Sequence, residues 1–155
     1  MKNFMLLVTS FLLISISACS QKNLPENVKK EFAKKYPSAQ SVKWDSESPN
    51  EWEAEFKMEG KKMSACFDNS GKWIESETEI SENELPAAVL NTLNTEFQGY
   101  KKGPVEILES PETKGFELTL KKGESSLEVV LDNSGKIIKK TEAKEEDEKD
   151  EKDLR

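Results

Sequence analysis

Apolar residues recur along this chain with a period near four, then with a period of two, and the whole sequence of periods occurs twice. Leu24-Pro25 opens a stretch in which Val28, Phe32 and Tyr36 return every four residues, a single apolar stripe of a helix that Tyr36-Pro37 closes. Leu85-Pro86 opens a second such stretch, with Val89, Leu93 and Phe97 at an offset of 61 residues and an end near Gly99. In both, the proline falls near the first helical position, where its missing N–H costs nothing. The period then switches to two. Val42 and Trp44 alternate with Lys43 and Asp45, and Glu51-Trp52-Glu53-Ala54-Glu55-Phe56-Lys57-Met58 is the cleanest alternation in the chain. Met63, Ala65 and Phe67 continue it, and Val105 and Ile107, then Phe116, Leu118 and Leu120, then Leu127, Val129 and Leu131 repeat it. This is the mark of half-buried antiparallel strands, apolar toward a core and charged away from it.

The strands are punctuated by a repeated turn. Asp68-Asn69-Ser70-Gly71-Lys72 and Asp132-Asn133-Ser134-Gly135-Lys136 are identical over five residues at an offset of 64. A calcium loop of the EF-hand kind needs Gly at position six, and here Gly71 and Gly135 stand fourth from the aspartate. The spacing instead fits a three-residue hairpin loop: a type I turn begun by Asp68 or Asp132, with Gly71 or Gly135 in the left-handed conformation and a G1 bulge. These four residues are read as structural. Each unit is thus a helix followed by about four strands, one over 24–80 and the other over 85–141. The expected fold class is α+β: an antiparallel sheet built from two tandem helix-plus-four-strand repeats, with both helices on one face.

The ends differ in kind. Residues 1–18 have Lys2, an apolar run from Phe4 to Ile16 and small residues before Cys19, the layout of a secretory signal too short to span a bilayer. Ile16-Ser17-Ala18-Cys19 resembles a bacterial lipobox, which makes Cys19 the expected lipidation site and acyl chains the membrane contact. A plain secretory signal with a chance cysteine is the competing reading. Residues 19–23 form a polar tether. From Glu142 to Arg155 the chain has eight acidic and four basic side chains and almost nothing apolar, so 142–155 is expected to be a charged, disordered tail.

Charge and composition narrow the chemistry. The net charge of −7 opposes nucleic acid and anionic lipid, both of which need a basic face. No histidine occurs, which removes the commonest general base and metal ligand and every Ser-His or Cys-His nucleophile. Glu51, Glu53 and Glu55 are placed on a solvent-facing strand side, where carboxyls titrate normally and serve solvation rather than acid catalysis. With Cys19 lipidated, Cys66 has no disulfide partner. A regular hairpin register sets Cys66 opposite Ile74, Val130 opposite Ile138 and Glu128 opposite Lys140. Cys66, Ile74, Val130 and Ile138 then form a candidate partner-binding patch on the face away from the helices, unless a slip of one residue turns them inward. Trp73 and Ile74 are adjacent and cannot both face inward in a regular strand.

The lipobox, Leu-Pro followed by Val28, Phe32, Tyr36 and Pro37, and alternating strands ending in Asp-x-x-Gly-Lys together resemble the PepSY-like, beta-lactamase-inhibitor-protein-like domain of small Gram-negative envelope proteins. The resemblance covers Leu24 to Thr141. It implies the repeated unit and an open sheet face able to contact another protein. It brings no catalytic residues, and inhibition of a beta-lactamase does not carry over because no inhibitor contact residue maps onto this chain. The expectation is a non-enzymatic, monomeric, periplasm-facing lipoprotein that binds an envelope protein or peptide and carries no cofactor and no metal. A small-ligand or metal-sensing domain is the alternative, and a degenerate hydrolase a third.

Overall fold

The computed structural model describes residues 23–143, so Cys19, the signal segment and the tail beyond Ala143 lie outside the described residues. The chain runs α1 (Glu26–Lys35), β1 (Gln40–Ser48), β2 (Glu51–Met58), β3 (Lys61–Asp68) and β4 (Trp73–Ile80). A short 3₁₀ turn at Glu82–Glu84 leads to α2 (Ala87–Glu96), β5 (Lys101–Glu109), β6 (Lys114–Lys122), β7 (Ser125–Leu131) and β8 (Ile137–Ala143). All eight strands form one antiparallel sheet in sequence order, and with the two helices the fold is α+β. The strand β8 passes two residues into the segment expected to be tail.

Both helices begin and end as their prolines and stripes dictate. Pro25 and Pro86 cap them in extended geometry, and the Tyr36 and Phe97 N–H groups close the last turns on the Phe32 and Leu93 carbonyls. The stripe residues are all buried: Leu24, Val28, Phe32 and Tyr36 under α1, and Leu85, Val89, Leu93 and Phe97 under α2. Each helix covers its own core. The first is aromatic, with Phe32 in contact with Tyr36, Trp44, Phe56 and Phe67, and it includes Trp52, Ala54 and Ala65. The second is mainly aliphatic, built on Val105, Leu118, Leu120, Leu127, Val129 and Leu131 with Phe97 and Phe116. Cross-strand pairs carry one face continuously across the middle: Ala65 pairs with Ser76, Thr78 with Ile107 and Ile80 with Val105. The two cores and both helices therefore share one side of the sheet.

The repeated turn has the expected geometry. The Gly71 N–H donates to the Asp68 carbonyl at 2.9 Å, as Gly135 does to Asp132, and both glycines have positive φ, +88° and +79°. One carboxylate oxygen of Asp68 accepts from the Ser70 N–H (2.8 Å), the Ser70 hydroxyl (2.5 Å) and the Lys72 N–H (3.0 Å). Asp132 does the same with Ser134 and Lys136. These aspartates are consumed inside their own turns. A second constraint acts on the glycines: a Cβ at Gly71 would come within 2.7 Å of the Asn27 carbonyl oxygen, and one at Gly135 would strike the Ala88 carbonyl. Each hairpin tip is docked on the start of its helix, and the Thr92 hydroxyl donates to the Gly135 carbonyl at 2.7 Å.

Register is where the sequence expectation fails. Cys66 pairs with Glu75 and Phe67 with Trp73, so Ile74 is the extra residue of a β-bulge. In the second half Val130 pairs with Lys139 and Leu131 with Ile137, leaving Ile138 as the extra residue, and Glu128 pairs with Thr141 rather than Lys140. The bulge resolves the Trp73–Ile74 conflict. It lets Trp73 pack on the aromatic core, with the Lys35 ammonium 3.7 Å from its ring centroid, while Ile74 is not part of either core.

Candidate functional site

The face opposite the helices has no described element over it. Strand alternation decides what it carries. Trp52, Ala54 and Phe56 point to the core, so Glu51, Glu53 and Glu55 point away, and the same rule sends Glu75, Glu77 and Glu79 of β4 outward. The outward positions of β5, β6 and β7 include Glu106, Glu117 and Glu128. Cross-strand pairing brings these together: Glu79 stands opposite Glu106, and Glu106 opposite Glu117. Three carboxyls in one transverse row oppose folding when all are ionised, and Glu117 resists ionisation, raised first by burial and then by Glu77 and Glu128.

These carboxylates are also shielded from water. Glu75, Glu77, Glu117 and Glu128 are only 5–8% exposed. Their cross-strand neighbours are buried with them: Glu75 is paired with Cys66, Glu77 with Ser64 and Glu117 with Val130. Among the described residues two ion pairs form on the face, Lys62 with Glu79 at 3.0 Å and Lys139 with Glu128 at 3.6 Å, and Lys139 also attracts Glu75 and Glu117. Glu53, Glu75, Glu77, Glu106 and Glu117 have no ion-pair partner there. Burial, followed by repulsion from Glu106 and Glu75, pushes the Glu77 carboxyl up to about 8, although the Ser64 hydroxyl donates to it at 3.1 Å. Burial and then Glu47 and Glu55 raise Glu53 to about 7. Glu75, Glu106 and Glu117 are raised as well, each first by burial. The expectation that Glu53 titrates normally on a solvated strand face is thus corrected: its strand is interior to a wide sheet, and its flanks are other carboxylates.

The four residues expected to form an apolar patch are dispersed. Cys66 and Val130 do lie away from the helices, but they are buried, 7% and 1% exposed, among the outward glutamates. Burial first, then Glu53, Glu75 and Glu77, drives the Cys66 thiol far above its usual range, so it stays protonated. Ile74 is half-buried, and Ile138 is the exposed large hydrophobic side chain among the described residues. Toward the β1 edge a depression of about 350 Å³ opens, where Lys43, Lys57 and Lys62 stand beside Glu55, Glu79 and Glu106. The face is therefore zoned, lysines at that edge and carboxylates at the centre. Sequence reading overlooked the carboxylate row because each glutamate taken singly looks like a solvated strand position. The available signal was alternate glutamates in β2 and β4 together with a lone outward Glu in each of β5, β6 and β7.

Among the described residues no group of three or more histidine, cysteine, aspartate or glutamate side chains is arranged to hold a metal ion. No described helix is long and apolar enough to cross a membrane.

Comparison with known proteins agrees with this architecture. No curated protein matches the chain. A BLIP-like protein of Bacteroides fragilis superposes with a TM-score of 0.68 at 24% identity, covering 80% of this chain and 90% of its own. A DUF2874 family protein of Bacteroides uniformis gives 0.68 at 24% identity, over 76% of this chain and 88% of its own. A Bacteroides eggerthii chain described as "putative periplasmic proteins" gives 0.67 at 23% identity, over 76% and 88%. At these identities the likeness is one of fold. The family described as "Putative beta-lactamase-inhibitor-like, PepSY-like" matches residues 14–64 and again 50–139. The two matches overlap, so they do not divide the chain between its halves. With most of its length matched, and with the helix-capping prolines, alternating strands and Asp-x-x-Gly-Lys turns in place, this chain belongs to the PepSY-like family.

Proposed function

We propose that this protein is a non-catalytic binding module of the bacterial envelope that engages another protein or peptide with the sheet face opposite its helices. The observation that carries the reading is the asymmetry of the sheet: one face is filled by two helix-covered cores, while the other has no described element over it. A broad open sheet with a dense polar surface suits protein recognition better than catalysis. The site expected from sequence is retained as a location, the face bearing Cys66 and Val130, while its chemistry becomes acidic rather than apolar. We further propose that the two halves are copies of one unit and that Cys19 is lipidated, holding the domain at a membrane surface in the periplasm.

The test is a photo-crosslinking residue introduced at Thr119, which is outward-facing on β6, or at Asn94, which is exposed on α2, in cells producing the full chain. An adduct with one envelope protein from position 119 and none from 94 is expected. Adducts from 94 alone would overturn the assignment of the face. Mature mass after Cys19→Ala checks the anchor separately, since persistence of the acylated product would refute it.

A further inference from the structure

One corner of the open face is basic, and the chain leaves the sheet there. Lys101 pairs with Lys121, Lys121 with Ser126 and Ser126 with Ala143, so a transverse row crosses β5 to β8 and finishes at the last described residue. Leu120 is buried in the helix-covered core, so Lys121 and its partner Lys101 project from the opposite face. Like charges directly opposite each other are unfavourable. Neither lysine makes an ion pair among the described residues. Glu128, on the next outward pair with Thr119, is engaged by Lys139. Lys102 and Lys122 turn to the helix side, toward Glu82 and the Gln98 carbonyl. The first half has the same like-charge pairing, Lys57 opposite Lys62, but there Glu79 holds Lys62 at 3.0 Å. The first half answers its lysine pair from within the sheet; the second half does not.

We propose that this same chain answers it from beyond β8: Glu145-Glu146-Asp147-Glu148 folds back over the corner and pairs with Lys121 and Lys101. Charge, reach and point of departure select this occupant. The segment is the longest run of acidic residues in the sequence, and it begins two residues past Ala143. At ~4.8 Å per strand, Lys121 and Lys101 lie ~10 and ~14 Å from Ala143. At ~3.3 Å per residue, the run covers contour lengths of ~7 to ~17 Å beyond Ala143. It therefore starts short of the first lysine and ends past the second. Tethering holds it there at an effective concentration on the order of millimolar, which a separate anionic molecule would have to exceed. The assignment concerns this corner alone and stands whether or not the face engages another protein.

The test is zero-length carbodiimide crosslinking of the purified full chain, with joined peptides read by mass spectrometry. An isotope-labelled copy mixed in separates intrachain from interchain products. Lys61 and Glu84, 3.2 Å apart at the surface, are the internal standard. Expected are intrachain links from 145–148 to Lys101 or Lys121, about fivefold more frequent than links to the exposed Lys30 and Lys136, and lost in about 1 M salt, where the screening length is ~3 Å. Links spread evenly over exposed lysines, links only between chains, or none while Lys61–Glu84 forms would each overturn the proposal. Lys101→Gln/Lys121→Gln changes only exposed side chains, so the variant folds, and a glutamate-specific protease should cleave its 145–148 run faster than that of wild type. Equal cleavage overturns the proposal as well.

Discussion

Replacing Glu77 with glutamine should stabilise this protein, and increasingly so as pH rises above about 4.5. The Glu77 carboxyl titrates at about 8 in the folded chain against an ordinary 4.5, because it is buried and faces Glu106 and Glu75. A raised carboxyl pKa means that the folded state holds a proton which the unfolded chain has already released between those two values. Stability is therefore full below about pH 4.5 and falls as pH rises toward 8. At ~1.4 kcal/mol per unit of pKa difference, the isolated group would cost roughly 5 kcal/mol once fully ionised. Neighbouring carboxyls share that burden, since relief at one site lowers the repulsion felt by the others. One substitution should then recover ~2 kcal/mol at pH 8 and close to nothing at pH 4.5. Glutamine preserves the bond accepted from Ser64, so packing is nearly unchanged. Urea unfolding of wild type and Glu77→Gln at pH 4.5, 6 and 8 measures the difference. An equal effect at all three values, or a wild type more stable at pH 8 than at 5, would refute the electrostatic reasoning.

Other outcomes follow from the same structure. Gly71→Ala and Gly135→Ala should each cost about 2–4 kcal/mol in thermal or urea unfolding, because the positive φ and the carbonyl of the docked helix both exclude a Cβ. Glu59 takes a φ of +53° in the turn before Gly60, so Glu59→Asn should raise stability by ~0.5–1 kcal/mol; a loss would show that the turn is held by something else. The Cys66 thiol should resist alkylation in the native state and react on unfolding, and rapid native labelling would contradict its burial among carboxylates. Asn69→Ala should cost ~1 kcal/mol through loss of the 2.8 Å bond that its side-chain oxygen accepts from the Trp52 indole.

The fold was legible because its signals are local and doubled. Proline caps, four-residue stripes and Asp-x-x-Gly turns act over a few residues, and Val28, Phe32, Leu93 and Phe67 lie where their periods put them. Register was not legible, since the bulges at Ile74 and Ile138 insert one residue that period-two reasoning cannot see, and a single inserted residue changes every later pairing. The site was hidden for a related reason. Glu106, Glu117 and Glu128 belong to three different strands, and their convergence depends on pairings set by loop lengths and bulges rather than by any contiguous motif.

The two cores share no buried residue, and the link between them is the β4–β5 ladder, whose helix-side neighbours include the polar Ser76, Thr78 and Glu109. Such a junction is mechanically soft compared with the helix-backed halves beside it. The carboxylate row crosses it, with Glu79 on one bank and Glu106 on the other. Once ionised, Glu106, whose carboxyl is raised first by burial and then by Glu79, adds repulsion across that crossing, so the join between the halves carries an electrostatic load that their apolar cores do not.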